Sequence, residues 1–227
     1  MRIEQGAGAR GSLKWIQVAV NDHPGVIDAA IRSALSWDSE VPITWVSPLR
    51  EDNFAEYRDQ AFLDRLAVVP HRCHLNQFWP PRGPQWDALG RTGSGQLILI
   101  EAKAHLKELE SPGSAASENS LKLIRSSLAE CKAYLGVDSG FDWAGQYYQY
   151  CNRLAHLYWL RVLNDLPAFL VFVYFLNATE VSGPRSIPEW QGAIQTMYSA
   201  LGLRAKDVLS AYVGSIFIDV RTFTAPS

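Results

Sequence analysis

The chain has 227 residues, of which 48% are hydrophobic and eight are Trp, a composition that excludes intrinsic disorder. This length suits one sizeable domain with its own core, and we expect a single α/β domain over residues 1–227. The formal net charge of −2 excludes a global basic field of the kind that attracts polyanions.

The predicted elements fall into three stretches along the chain. Residues 1–50 predict an N-terminal β-α-β extension, with a strand at 13–20, a helix at 24–35 and a strand at 41–46. Residues 51–180 predict the core, in this order: a helix at 52–69, a first strand within 72–79, a hairpin over 85–104, a loop at 110–117, helices at 121–135 and 143–163, and a strand at 168–176. Residues 181–227 predict a helix at 188–201 and a strand at 213–220.

Cysteine usage and hydropathy favour a cytoplasmic protein without a membrane anchor. Cys73, Cys131 and Cys151 are odd in number and lack CxxC spacing, which is typical of free thiols in a reducing compartment. The first residues lack the apolar stretch of a signal peptide. The most apolar run, 168–176, is too short to span a bilayer.

The hairpin carries the chemistry. Residues 97–103 alternate between two faces of a strand, which places Glu101 and Lys103 on one face. The turn-rich link 91–95 lets the preceding residues fold back, so that Asp87 comes beside Glu101. Grouped carboxylates bind a hard divalent cation, and a neighbouring Lys can polarise an attacking water. The alternative is an ordinary hairpin in which Glu101 and Lys103 form a solvated ion pair.

Asp87, Glu101 and Lys103, with the segment Pro84-Gln-Trp-Asp87 before the strand, resemble the PD-(D/E)XK nuclease superfamily and its restriction-endonuclease-like fold. One departure is that Pro84 is not adjacent to the Asp. The resemblance implies a mixed β-sheet flanked by helices with an α-β-β-β-α-β core. It also implies a Mg²⁺- or Mn²⁺-dependent enzyme that hydrolyses phosphodiester bonds of nucleic acid, with DNA favoured. The metal would be held by Asp87, Glu101 and the Ala102 carbonyl, while Lys103 activates the water.

The superfamily often carries a further acidic residue on the helix before the hairpin, for which Glu51 and Glu56 are candidates. On the predicted helix, Glu56 shares a face with Leu63, and a buried Glu needs a partner such as a metal site. We therefore prefer Glu56 as a catalytic and metal-binding residue. The alternative is that Glu56 pairs with a neighbouring side chain and has no catalytic role.

Gln146 and Tyr150 fit the Q-x(3)-Y motif of the RecB and lambda-exonuclease-like branch. On the predicted helix 143–163 they are i and i+4 and share a face. The resemblance implies that they fix substrate phosphates or the attacking water. The alternative is that the Tyr-rich helix is packed in the core or stacks on bases.

Two other functions stay open. One is a catalytically inactive nuclease-fold module that binds nucleic acid or protein, and the other is an α/β interaction domain with a surface ion-pair cluster. Residues 58–107 contain seven Lys or Arg against four acids, a balance that fits either a local basic surface around the site or a solvated face of mixed charge. We expect nucleic acid as the partner and no association with a membrane. The oligomeric state stays open and includes a homodimer or a larger assembly.

Overall fold

A mixed sheet of five strands forms the centre of the fold, and a second sheet of two short strands lies beside it. The structure is a computed structural model and describes residues 1–204 and 206–223. The strands are β1 (Arg2–Ile3), β2 (Ile43–Ser47), β3 (Glu56–Tyr57), β4 (Ala88–Thr92), β5 (Leu97–Lys103), β6 (Ala168–Leu176) and β7 (Val213–Asp219). The helices are α1 (Gly11–Asn21), α2 (Pro24–Ala34), α3 (Gln60–Leu66), α4 (Leu75–Phe78), α5 (Glu118–Tyr134), α6 (Tyr148–Tyr158) and α7 (Ile187–Leu201).

The central sheet has the order β2-β4-β5-β6-β7. β4 is antiparallel to both of its neighbours, β2 and β5, whereas β5, β6 and β7 are parallel. Strands β1 and β3 pair separately, antiparallel, through two residue pairs. The expectation of an α/β fold with a mixed sheet flanked by helices is therefore confirmed.

Helices cover both faces of the sheet, so the central strand β5 is buried along its whole length. Ile98, Ile100 and Ala102 pack against residues of α1 and α2. Leu97 and Leu99 face the other core, which α3, α5, α6 and α7 complete. Since side chains alternate along a strand, Glu101 and Lys103 continue the face of Leu97 and Leu99 and lie under the second helix layer.

Most predicted elements are confirmed to within a few residues. The helix at 24–35 is α2, the strand at 41–46 is β2, and residues 88–103 form the hairpin of β4 and β5. The remaining confirmed elements are the loop at 110–117, the helices at 121–135 and 188–201, and the strands at 168–176 and 213–220. None of the helices in the described part of the chain is long and apolar enough to cross a membrane.

The strand predicted at 13–20 is wrong, because these residues belong to α1. Trp15, Ile16, Ala19 and Val20 are buried with a helical spacing that the apparent alternation concealed. The first 50 residues are thus β-α-α-β instead of β-α-β, and β2 within them is an edge strand of the central sheet.

The helix predicted at 52–69 is also wrong. Asn53 (φ 53°), Phe54 (φ 52°) and Asp59 (φ 55°) have left-handed backbone conformations, which interrupt a right-handed helix. The segment forms β3 and the short helix α3 instead. A strand within 72–79 is likewise absent among the described residues, since α4 occupies Leu75–Phe78 with His74 and Gln77 forming a capping box.

Candidate active site

A pocket of about 500 Å³ lies at the carboxyl end of β5. Asp87, Glu101, Lys103 and Glu56 all line it, and we call it the carboxylate pocket. The β4–β5 register explains why two of them meet. Ala88 pairs with Ile100, and the Asp87 amide donates to the Ile100 carbonyl at 3.2 Å, so the next position places Asp87 opposite Glu101. The hairpin prediction for these residues is confirmed in this respect.

Glu101 is the best-held carboxylate of the pocket and is only 2% exposed. Its Oε1 accepts from Lys103 Nζ at 2.5 Å, and its Oε2 accepts from Arg153 Nε at 2.6 Å. Burial by itself raises the pKa of Glu101, but Arg153 and Lys103 outweigh burial and bring the pKa below its ordinary value. Glu101 is therefore ionised at neutral pH.

Asp87 experiences the opposite balance. Loss of hydration raises its pKa well above the ordinary value, and repulsion from Glu101 and Glu56 raises it further. Lys103 and a 2.7 Å hydrogen bond from the Ala102 amide to Asp87 Oδ2 offset only part of this. The pKa of Asp87 is consequently raised, and an additional positive charge beside it would lower it.

Glu56 reaches the pocket, but from the short strand β3 and not from a helix. The Trp86 amide donates to the Tyr57 carbonyl at 3.1 Å, which holds β3 beside the start of the hairpin. Gln85 Nε2 donates to Glu56 Oε2 at 2.5 Å and Gln5 Nε2 at 3.2 Å. Burial, aided by repulsion from Glu101, raises the pKa of Glu56 to about 7 despite the Gln85 hydrogen bond.

The competing candidate, Glu51, lies in the one-turn 3₁₀ segment Arg50–Asp52 and is exposed. It does not line the carboxylate pocket. The preference for Glu56 over Glu51 as the pocket acid agrees with the geometry, although the predicted helical face was the wrong reason for it.

Lys103 is buried and fixed at two points. Its Nζ donates to Glu101 and to Gln149 Oε1, the latter at 2.9 Å. The backbone amide of Gln149 donates to Ser111 Oγ at 3.1 Å. The ammonium is thereby held in the pocket wall on the same side as the carboxylates, as the strand alternation predicted.

Sequence reasoning did not assign Gln149 and Arg153, which α6 brings into the pocket. Arg153 is 5% exposed and donates from Nη2 to the Gln85 carbonyl at 2.8 Å. Its guanidinium also lies over the Trp86 ring, 5.0 Å from the centroid. The sequence signal for them was their own spacing. Gln149 and Arg153 are polar residues at i and i+4, three residues after Gln146 and Tyr150.

Gln146 and Tyr150 are not brought to the carboxylate pocket, so their predicted placement is corrected. Helix α6 begins at Tyr148, which leaves Gln146 exposed in the turn before it. Tyr150 is buried against Phe172, with ring centroids 4.6 Å apart, and its hydroxyl donates to the Tyr198 hydroxyl at 2.9 Å. Tyr150 is therefore packed in the core, which was the alternative given for it.

The pocket wall carries an excess of acid. Among the described residues that line it there are two cations, Lys103 and Arg153, and five carboxyl groups, which are Glu56, Asp87, Glu101, Glu108 and Glu110. Carboxylates and backbone carbonyls are donors suited to a hard cation such as Mg²⁺ or Mn²⁺. The donor chemistry therefore fits the expected metal.

The arrangement of these donors is not that of a preformed ion cage. Within residues 1–204 and 206–223, no three His, Cys, Asp or Glu side chains are grouped closely enough to hold a metal ion. Both oxygens of Glu101 are taken by the chain's own cations, while Asp87 and Glu56 accept from amide groups. Metal binding here requires Glu101 to exchange at least one protein donor for the ion.

Comparison of the chain with family models, curated proteins and solved structures finds no match.

Proposed function

We propose that the protein is a metal-dependent nuclease of the PD-(D/E)XK type, which hydrolyses phosphodiester bonds of nucleic acid, with DNA favoured. The observation that carries the proposal is the convergence of Asp87, Glu101 and Lys103 in one pocket at the end of an apolar strand, with Glu56 opposite. Two of these carboxyls have raised pKa values, which is typical of functional sites.

The order of elements supports a restriction-endonuclease-like topology. Helix α2 is followed by the antiparallel strands β2, β4 and β5, then by α5 and α6, and then by β6 parallel to β5. Leaving aside the short elements between β2 and β4, this is the α-β-β-β-α-β succession that the sequence resemblance implies. The proposed catalytic strand is the third strand of that succession.

Asp87, Glu101, the Ala102 carbonyl and Glu56 are the residues that would hold a divalent cation. When bound, such an ion supplies Lewis-acid polarisation of the phosphoryl oxygens. The chain's residues explain why an ion is favoured there. Burial, and after it repulsion from neighbouring carboxylates, raises the pKa of Asp87 and Glu56, and an added positive charge offsets both effects.

The remaining groups act on the substrate side. Lys103 Nζ keeps its position through Glu101 and Gln149 and donates to the attacking water. Arg153, released from part of its contact with Glu101, neutralises charge that develops on the phosphate. Its remaining hydrogen bond to the Gln85 carbonyl keeps the guanidinium in the wall.

The test is a cleavage assay on duplex DNA, single-stranded DNA and RNA, with Mg²⁺, with Mn²⁺ and with EDTA. We expect metal-dependent cleavage by the wild type and a loss of about 10²-fold or more for Lys103→Ala, the range for removing a proton-transfer or charge-stabilising group. Lys107→Ala is the matched control, because Lys107 is exposed and outside the pocket. Equal activity of Lys103→Ala and wild type contradicts the proposal, as does a wild type that cleaves none of the substrates.

A second candidate function is a catalytically inactive module of the same fold that binds nucleic acid or protein. The observation that favours it is the full occupation of Glu101 by Lys103 and Arg153. Thermal unfolding with and without Mn²⁺ discriminates the two, since an ion that binds only the folded site raises the melting temperature. An active site predicts a rise for wild type that Asp87→Asn lacks, and an inactive module predicts no rise for either.

A further inference from the structure

A second pocket, of about 640 Å³, lies at the same edge of the sheet as the carboxylate pocket. Its wall comes from the first turn of α1, the segment after β6 and the residues that follow β7, and it contains the cations Lys14, Arg185 and Arg221. We propose that this basic pocket binds backbone phosphates of a DNA duplex and leads the duplex to the carboxylate pocket. The identity of the polyanion rests on the proposed nuclease function.

The charges in the basic pocket support an anionic ligand. Lys14 and Arg185 form no salt bridge with any of the described residues. The one acid in the described wall, Glu180, accepts at Oε1 from Trp15 Nε1 at 2.6 Å and from the Gly11 amide at 3.2 Å. Those donors hold its carboxylate against α1. Arg221 is paired with Asp219, so Lys14 and Arg185 are the cations on which the inference rests, and they outnumber the acid of the wall.

The two pockets lie on either side of the start of α1. Ser12 lines the carboxylate pocket and donates to Glu108 there at 2.8 Å, whereas Lys14 lines the basic pocket. These two positions are about 3 Å apart along the helix axis, and their side chains leave the helix on different sides. On the far side, Gly183 lies so close to the Ala104 carbonyl that no Cβ would fit there, so the segment after β6 packs directly on the chain that follows Lys103. A duplex with a phosphate about every 3.4 Å per strand can therefore contact both pockets at once.

The basic pocket can contact the charged phosphates of DNA but not its bases. Trp15, the aromatic ring in this wall, is only 6% exposed, and Lys14 Nζ lies 4.1 Å above its centroid. The ring is therefore not a stacking platform for an unpaired base. Phosphate contacts position a duplex without reading its sequence, so binding at this pocket is salt-dependent and sequence-independent.

The experiment measures binding of a fluorescently labelled DNA duplex of mixed sequence by anisotropy, in EDTA, at several salt concentrations between 50 and 200 mM. For Lys14→Gln/Arg185→Gln we expect weaker binding and a flatter dependence on salt. Between 50 and 200 mM salt, the affinity of the double variant should fall by a factor about 12-fold smaller than the factor for the wild type. Each lost phosphate contact accounts for about 3.5-fold of this. Arg185→Lys, which keeps the charge, should bind as the wild type does.

The matched control is Arg91→Gln. Arg91 is exposed and pairs with Leu97 at the start of β5, at the opposite end of the sheet. An unchanged salt dependence in the double variant overturns the inference, as does an equal loss in Arg91→Gln or a wild type that binds no duplex. Melting temperatures equal to that of the wild type verify that each variant is folded.

Cleavage of the same duplex with Mn²⁺ separates this inference from the proposed function. If the wild type binds but never cleaves, and the double variant loses binding, the basic pocket stands and the nuclease proposal fails. If the wild type cleaves, and the double variant keeps both its KM and its salt dependence, the nuclease proposal stands and the basic pocket fails.

Discussion

Replacing Arg153 by Met should destabilise the protein strongly, because it leaves a buried charge without half of its compensation. Arg153 gives Glu101 a charged hydrogen bond at 2.6 Å, and the side chains of Arg153 and Glu101 are 6% and 3% exposed. Removing one partner of a buried ion pair costs about 3–5 kcal/mol. Lys103 still contacts the other oxygen of Glu101, so we expect a value near the lower end, about 3 kcal/mol.

Urea unfolding in EDTA measures this loss, and for a chain of this size it corresponds to a fall of about 6–12 °C in melting temperature. The matched control is Arg125→Met, which removes an exposed pair with Asp142 and should cost less than about 1 kcal/mol. Mn²⁺ should restore part of the stability of Arg153→Met, because the ion supplies positive charge beside Glu101.

A double-mutant cycle isolates the charge interaction from the loss of packing. Glu101→Gln/Arg153→Met should be less destabilised than the sum of the single variants by about 1–3 kcal/mol, since the remaining group is no longer an unpaired buried charge. A cost for Arg153→Met below about 1 kcal/mol, together with additive effects in the cycle, would refute the reasoning that Arg153 compensates Glu101.

Three further predictions concern the same pocket. Glu56→Gln should make the protein more stable than wild type above about pH 7 and equal to it near pH 4.5. The pKa of Glu56 is raised in the folded protein, so its protonated form contributes stability at low pH, and this stability is lost as the pH rises through about 7. Urea unfolding at several pH values measures the difference in unfolding free energy between variant and wild type. A difference that does not change with pH contradicts the prediction. Asp87→Asn should raise the melting temperature in EDTA, because it removes repulsion between carboxylates, and it should abolish the rise in melting temperature caused by Mn²⁺. Differential scanning fluorimetry measures both changes, and a Mn²⁺ shift equal to that of wild type counts against a cation at Asp87. Gln149→Leu should reduce cleavage by about 10-fold or more because Lys103 loses an anchor, whereas Gln146→Ala should leave it unchanged; the reverse order would restore the predicted motif.

The sequence was sufficient where one local pattern decided the structure. Residues 168–176 are uniformly apolar and form β6, a strand that is buried on both faces. The distance of 14 positions between Asp87 and Glu101, with turn residues between them, allowed only a narrow range of hairpin registers. The core of the candidate site could therefore be predicted from a short segment.

The sequence was insufficient where distant segments decided the structure. Glu56 lies in a strand because Asn53 and Phe54 adopt left-handed conformations and because β1, more than 50 residues away, pairs with β3. No periodicity within 52–69 contains that information. Arg153 and Gln149 reach the site from α6, whereas Gln146 lies outside the helix because α6 begins only at Tyr148.

The attachment of Glu56 has a consequence for the dynamics of the pocket. Its strand β3 belongs to a sheet of only two residue pairs, whereas β5 is embedded between two strands and two layers of helices. Isolated two-stranded sheets are only marginally stable, whereas a strand embedded in a larger sheet opens only with much of the global unfolding free energy. The backbone amides of β3 should therefore exchange with deuterium before those of β5, so that Glu56 can move relative to Glu101, which the central strand keeps in register.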